Sequence, residues 1–163
     1  MSEITMRDAQ PSDLASLARL LLLVHQLHVD AHPEVYRPIS HDEAGQLLQQ
    51  RLREPDTIVR VAEADTNLPL GYYCAVIRSL PESMILHSRK LWYVNEVVVD
   101  PAFRGQGIGC KLLVDLKQLA EREAVDSLEL DVGVFNAEAR QFFQGQGFKP
   151  VRIRMQAQVA RSR

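Results

Sequence analysis

Apolar residues recur at helical spacing over two long stretches of this chain and alternate over several shorter ones. Leu14, Leu17, Leu20, Leu21, Val24 and Leu27 share one helical face, which predicts a helix running to about Val29. Ile4 and Met6 ahead of it suggest a short strand. Ser12 or Asp13 stands where a side-chain oxygen can cap the first helical turn. His32 to Pro38 is expected to be a loop, because Pro33 and Pro38 interrupt any regular element. A second helix is expected over Asp42 to Arg53. Thr57 to Ala64 and Leu70 to Leu80 read as the strands of a hairpin closed at Asp65-Thr66-Asn67. Pro81 to Lys90 is a polar connection to a further strand, Leu91 to Val99. The second long helical stretch, Ile108 to Glu123, sets Ile108, Leu112, Leu113, Leu116, Leu119 and Ala120 on one face and its charges on the other. Leu128, Leu130 and Val132 alternate as a strand. Ala137 to Gln144 is a short helix stopped by Gly145 or Gly147, and Phe148 to Val159 is a final strand. The order β-α-α-β-β-β-α-β-α-β predicts a mixed α/β fold.

Composition narrows the class. At 163 residues the chain is read as a single domain, 1–163, long enough to bury a core. A formal net charge of -2 gives no electrostatic support for nucleic-acid binding. Arg152, Arg154, Arg161 and Arg163 are read as solvated charges. Cys74 and Cys110 are too few for a disulfide scaffold, and core packing is expected of both. Met1-Ser2-Glu3 lacks the basic start of a signal peptide, and the apolar run Leu20–Val24 is too brief to cross a bilayer. A cytoplasmic protein is the expectation. His25, His28, His32 and His41 have no regular ligand spacing and no cysteine or paired acids beside them, so no metal is expected.

The most specific feature follows the strand ending at Val99. Asp100-Pro101-Ala102-Phe103 leads into Arg104-Gly105-Gln106-Gly107-Ile108-Gly109, and the amphipathic helix begins at once. Glycines leave backbone N–H groups uncovered, and a helix N-terminus carries roughly half a positive charge, so this junction attracts phosphate. Arg104 adds a full charge. A Walker A loop fails here because Cys110 and Leu112 occupy its second glycine and hydroxyl positions. A dinucleotide fingerprint fails because Gly109 comes one residue early. The pattern Arg104-x-x-Gly107-x-Gly109 after a hydrophobic strand resembles the acetyl-CoA loop of the GNAT superfamily of N-acetyltransferases. A second match, Leu128-x-Leu130-x-Val132-x-x-x-Asn136-x-x-Ala139-x-x-Phe142-Phe143-x-x-x-Gly147-Phe148, is similar to that superfamily's later motif. Arg7-x-Ala9-x-x-x-Asp13 resembles its first strand and helix start more weakly.

The resemblance implies a mostly antiparallel sheet flanked by helices. It also implies acetyl transfer from acetyl-CoA to a primary amine of a small molecule or peptide, by direct attack in a ternary complex. The N–H groups of Gly105, Gln106, Gly107, Ile108 and Gly109 would hold the pyrophosphate. The backbone of Val97 and Val99 would bind the pantetheine arm like an added strand, with the N–H of Val98 or a neighbour facing the thioester oxygen. Asn136 would contact the arm, and Phe143 stands where many relatives carry a tyrosine general acid beside the sulfur. Tyr72, Tyr73 and Tyr93 are alternative proton donors. A thiolate is also a fair leaving group without one.

A free alkylammonium must lose a proton before it attacks. Glu96 interrupts an apolar strand and is the candidate base; Asn95 and Tyr93 are candidates to orient substrate or water. The first helix and the following loop form the acceptor side in relatives, which points to His28, Asp30, His32, Glu34 and Tyr36, with the two acids suited to a cationic amine. The expected partner is therefore an amine, with neither nucleic acid nor membrane, and a homodimer is one option. The competing readings are a catalytically weak acyl-CoA-binding sensor and a modifier of a macromolecular amine.

Overall fold

β-Branched and aromatic residues pair the alternating stretches into one five-stranded sheet, β1-β2-β3-β4-β5. The structure is a computed structural model that describes residues 3–65 and 67–161. In chain order the elements are β1 (Thr5–Asp8), α1 (Leu14–Ala31), α2 (His41–Arg53), β2 (Thr57–Glu63), β3 (Pro69–Leu80), β4 (Arg89–Val99), α3 (Ile108–Arg122), β5 (Ser127–Glu129) and α4 (Ala137–Gly145). The first four strands are antiparallel, and β5 runs parallel to β4. This is the mixed, mostly antiparallel α/β architecture expected from the sequence. The chain divides into two compact units, residues 1–131 and residues 132–163. The sheet and α1–α3 belong to the first, and α4 to the second. Thr66 of the hairpin turn, Met1 and Ser2 of the N-terminus and Arg163 of the basic tail lie outside the described residues.

One face of the sheet packs on α1 and α2. Leu17, Ala18, Leu20, Leu21, Ala44 and Leu48 meet Val59, Val61, Tyr72, Cys74 and Val98 there in one buried cluster. Full burial of each leucine contributes about 1.5–3 kcal/mol. With Pro11–Asp13, α1 makes a stretch of 21 residues apolar enough by composition to span a bilayer. Its buried side is nevertheless the core of this fold. On the other face α3 buries Ile108, Leu112, Leu113, Leu116 and Ala120. Tyr73 Oη and Arg60 both bond Asp115 of α3, at 2.7 and 2.8–3.0 Å. Gly71 lets β3 approach β4 closely, since a Cβ there would lie 2.6 Å from the Val98 carbonyl oxygen.

Several details differ from the sequence expectation. Neither Ser12 nor Asp13 caps α1 through its side chain. Asp13 instead accepts both Arg7 guanidinium nitrogens, at 2.7 and 3.0 Å, and the Gln10 N–H at 2.7 Å, tying β1 to the helix start. Cys74 is buried as expected, but Cys110 is exposed. Two residues along a helix turn it by about 200°, so Cys110 points opposite to Ile108. β5 ends at Glu129 rather than reaching Val132. Phe148 to Val159 forms no strand. A strand exists through its ladder, Pro150 cannot donate to one, and the segment has no ladder partner among the described residues.

Candidate active site

The loop between β4 and α3 is built by two devices. Asp100 caps the single 3-10 turn Pro101–Phe103 by accepting from the Ala102 N–H at 3.0 Å, and it also pairs with Arg19 of α1. The Arg19 guanidinium holds the Asp100 carboxyl below the ordinary range. Gly105 and Gly107 then take φ values of 76° and 77°, a region costly for any side chain with a Cβ. These turns aim the backbone so that the N–H groups from Gly105 through Gly109 have no acceptor among the described residues, and the Lys111 N–H reaches Gly107 O at 3.1 Å. Arg104 lies alongside, its Nε donating to Val99 O at 3.4 Å. A row of uncapped donors at a helix start beside a cation is what a pyrophosphate requires. The residues present fit the group.

The strand leading into this loop is opened on one side. Pairing of β4 with β5 covers only Leu91, Trp92 and Tyr93. From Val94 to Val99, β4 is paired with β3 alone. The ladder with β3 also shifts by one residue between Cys74 and Ala75: Cys74 faces Glu96 while Ala75 faces Val94. Asn95 is the extra residue of this β-bulge. A bulge re-aims side chains and increases local twist, and here it brings both Asn95 and Glu96 to the face shared with Tyr72 and Cys74.

The side chain of Glu96 is therefore largely buried. Its Oε1 pairs with Arg51 Nη1 from the last turn of α2 and accepts from Tyr72 Oη at 3.2 Å. Burial pushes its carboxyl above the ordinary value, against the opposing pull of Arg51 and of the Tyr72 hydroxyl. Burial, and then the Glu96 charge, raises the Tyr72 phenol and pushes the Cys74 thiol up to about 12. Both are neutral near pH 7. The Asn95 amide bonds Cys74 Sγ at 3.6 Å. Tyr93 Oη bonds Asp131 at 2.7 Å, and Arg78 stacks on the Tyr93 ring at 4.2 Å.

Of the residues expected on the acceptor side, His28 lies against the ring of Tyr36, which follows α1. His28 and His25 contact its ring at centroid distances of 5.1 and 6.3 Å. His25 Nε2 meets Arg37 O at 2.7 Å and His41 Nε2 meets Ala15 O at 3.1 Å, so the loop turns back along α1. His32 pairs with Glu34 at 3.3 Å, and Asp30 accepts from Gln26 at 2.7 Å. Burial, followed by the charges of His25 and His32, lowers the His28 pKa. In the second unit, Asn136 caps α4 by accepting from the Ala139 N–H at 3.0 Å. Phe143 packs edge-on between Phe142 and Phe148, at 5.3 and 5.5 Å. Arg51 carried no signal in the sequence; it is one of two arginines ending an amphipathic helix.

A mixed sheet whose fourth strand opens into a donor-rich loop and helix is the arrangement of an acyltransferase of the family whose model the chain matches. The chain belongs to the acetyltransferase (GNAT) family, whose model matches residues 21–148, and it is an acetyl-CoA-dependent enzyme. It is 23% identical over 147 residues, 90% of each chain, to the uncharacterized N-acetyltransferase YhfO of Bacillus subtilis. A tetramutant of the BH1408 protein of Bacillus halodurans superposes with a TM-score of 0.88 at 24% identity, over 95% of this chain and 99% of that one. The aminoglycoside N-acetyltransferase AAC(6')-Iy, solved with CoA, gives a TM-score of 0.74 at 16% identity, over 98% and 96% of the two chains.

Proposed function

We propose that the enzyme moves an acetyl group from acetyl-CoA to a primary amine of a small molecule or peptide, by direct attack in a ternary complex. The observation that carries this reading is the run of uncapped N–H groups at Gly105–Gly109, one turn beyond a strand edge released from its neighbour. Acetyl-CoA supplies an activated thioester. The N–H groups of Gly105 to Gly109, with Arg104, bind its pyrophosphate. The freed backbone of Val97 to Val99 takes the pantetheine arm as an added strand, and an N–H at Val98 faces the thioester oxygen as charge develops there. Glu96 takes a proton from the bound ammonium, directly or through one water, leaving the nitrogen lone pair free to attack. His28, Asp30, His32, Glu34 and Tyr36 form the acceptor side, where Asp30 and Glu34 favour a cationic amine. The name of the aminoglycoside N-acetyltransferase among the structural relatives supports a small-molecule amine.

An amine panel spanning aminoglycosides, polyamines, amino acids and peptide N-termini tests this. The readout is amine-dependent release of CoA thiol, with mass spectrometry of the product. Acetylated product from at least one cationic amine is expected. Tight acetyl-CoA binding without transfer to any member would favour the sensor reading instead.

A further inference from the structure

Glu96 does not stand alone in the core. The side chains of Arg51 and Glu96 are 19% and 7% exposed, so the pair is largely out of water. Both donors to this carboxylate, Arg51 Nη1 and Tyr72 Oη, converge on Oε1. Oε2 accepts no hydrogen bond among the described residues. The titratable neighbours are few: Arg51 from α2, and Tyr72 and Cys74 from β3. The α1 side of this cluster presents Leu17, Ala18, Leu20 and Leu21. A buried carboxylate without a partner takes up a proton and ceases to be a base. One oxygen of Glu96 is thus anchored by two donors and the other by none of the described residues.

Resting on the assignment of Glu96 as the base, we propose that Arg51 is a positioning residue of acetyl transfer, which fixes Glu96 through Oε1 and holds it ionised so that Oε2 receives the ammonium proton. In that step an N–H bond of the acceptor breaks and an O–H bond forms at Oε2. The electron pair stays on nitrogen, and the positive charge of the acceptor is discharged against the carboxylate. Arg51 keeps its own proton throughout. Tyr72 has the lesser, neutral share of the same task.

The test titrates the full chain, carrying carboxyl-13C glutamate, by NMR; the Glu96 signal is the one absent from Glu96→Gln. Replacing Arg51 by Gln should raise the Glu96 midpoint by about one pH unit or more, the usual effect of losing a close opposite charge. Arg51→Lys should restore most of the difference, and Tyr72→Phe should raise the midpoint less. With the amine turned over best in the panel, the acidic limb of kcat/KM should move up with the midpoint. The KM for acetyl-CoA should stay unchanged, and activity should recover at alkaline pH. If Arg51→Gln does not fold, Arg51→Met fills the same space and carries the same expectation. An unmoved midpoint in the folded variant overturns the proposal. So does an unmoved acidic limb in that variant when Glu96→Gln has lost the limb, and then only the role of Arg51 falls. Normal activity and an intact limb in Glu96→Gln would remove the base assignment itself.

Discussion

Glu96 is the residue on which the chemistry turns. Gln keeps its shape and polarity and cannot take a proton, so Glu96→Gln should lower kcat/KM by about 10²–10⁴, the worth of a general base. Acetyl-CoA affinity should hardly change, because the loop remains. Wild-type activity should fall with acidity as Glu96 protonates, and the limb should lie above the ordinary carboxylate range because burial raises this group. Near-normal Glu96→Gln activity across the pH range would place the base elsewhere. Glu96 was legible in the sequence as the one acid in an apolar run. Its partner was not. Arg51 stands 45 residues earlier, on the charged end of a helix where arginines are ordinary, and only packing of α2 on the sheet brings the two together. The bulge at Asn95 was equally silent, since one extra residue leaves the composition of a strand unchanged while altering which side chains share its face.

At the scale of elements, the β4–loop–α3 unit was readable because three independent signals coincide: a β-branched strand, glycines where φ must be positive, and an amphipathic helix. Gly107→Val should therefore cost about 1–2 kcal/mol from its φ of 77°, seen in urea unfolding, and should weaken acetyl-CoA binding as well. Stability without a change in affinity would show that the loop geometry is not needed for the cofactor. In α3, Leu116→Ala should cost about 2–5 kcal/mol as a core cavity, whereas Cys110→Ala on the opposite, exposed side should be nearly silent. β5 and the segment after Phe148 were over-read. Alternation marks a residue pattern that can pair, but pairing depends on a neighbouring strand. The ladder of β5 with β4 stops at Tyr93↔Glu129, two residues before the bulge at Asn95.

For the whole molecule, pH acts through carboxylates of opposite sign. Arg19 holds Asp100 below the ordinary range. For Asp13, burial raises the group, and Arg7 and the Gln10 N–H overcome it. Both contribute stability that is present above the unfolded carboxylate range and lost as pH falls through their folded values. Glu96, raised by burial, has the reverse sign, its contribution lost as pH rises through its folded value. Asp100→Asn should consequently lower the Tm at neutral pH, with the difference shrinking in strong acid; an equal loss at all pH values would mean that the charge on Asp100 is not what stabilises the loop.

Binding to the folded state alone raises Tm by mass action, so the donor can be identified without knowing the acceptor. The most direct measurement is a calorimetric titration comparing acetyl-CoA with acetyl-pantetheine, which keeps the thioester and lacks the pyrophosphate, on the wild type and on Arg104→Ala. Acetyl-CoA should bind much more tightly than acetyl-pantetheine, and Arg104→Ala should remove about 1.5–3 kcal/mol of that preference, the range of a charge-assisted hydrogen bond. Equal binding of the two thioesters, or binding of NAD or ATP in place of acetyl-CoA, would contradict the assignment of the Gly105–Gly109 donors to the pyrophosphate.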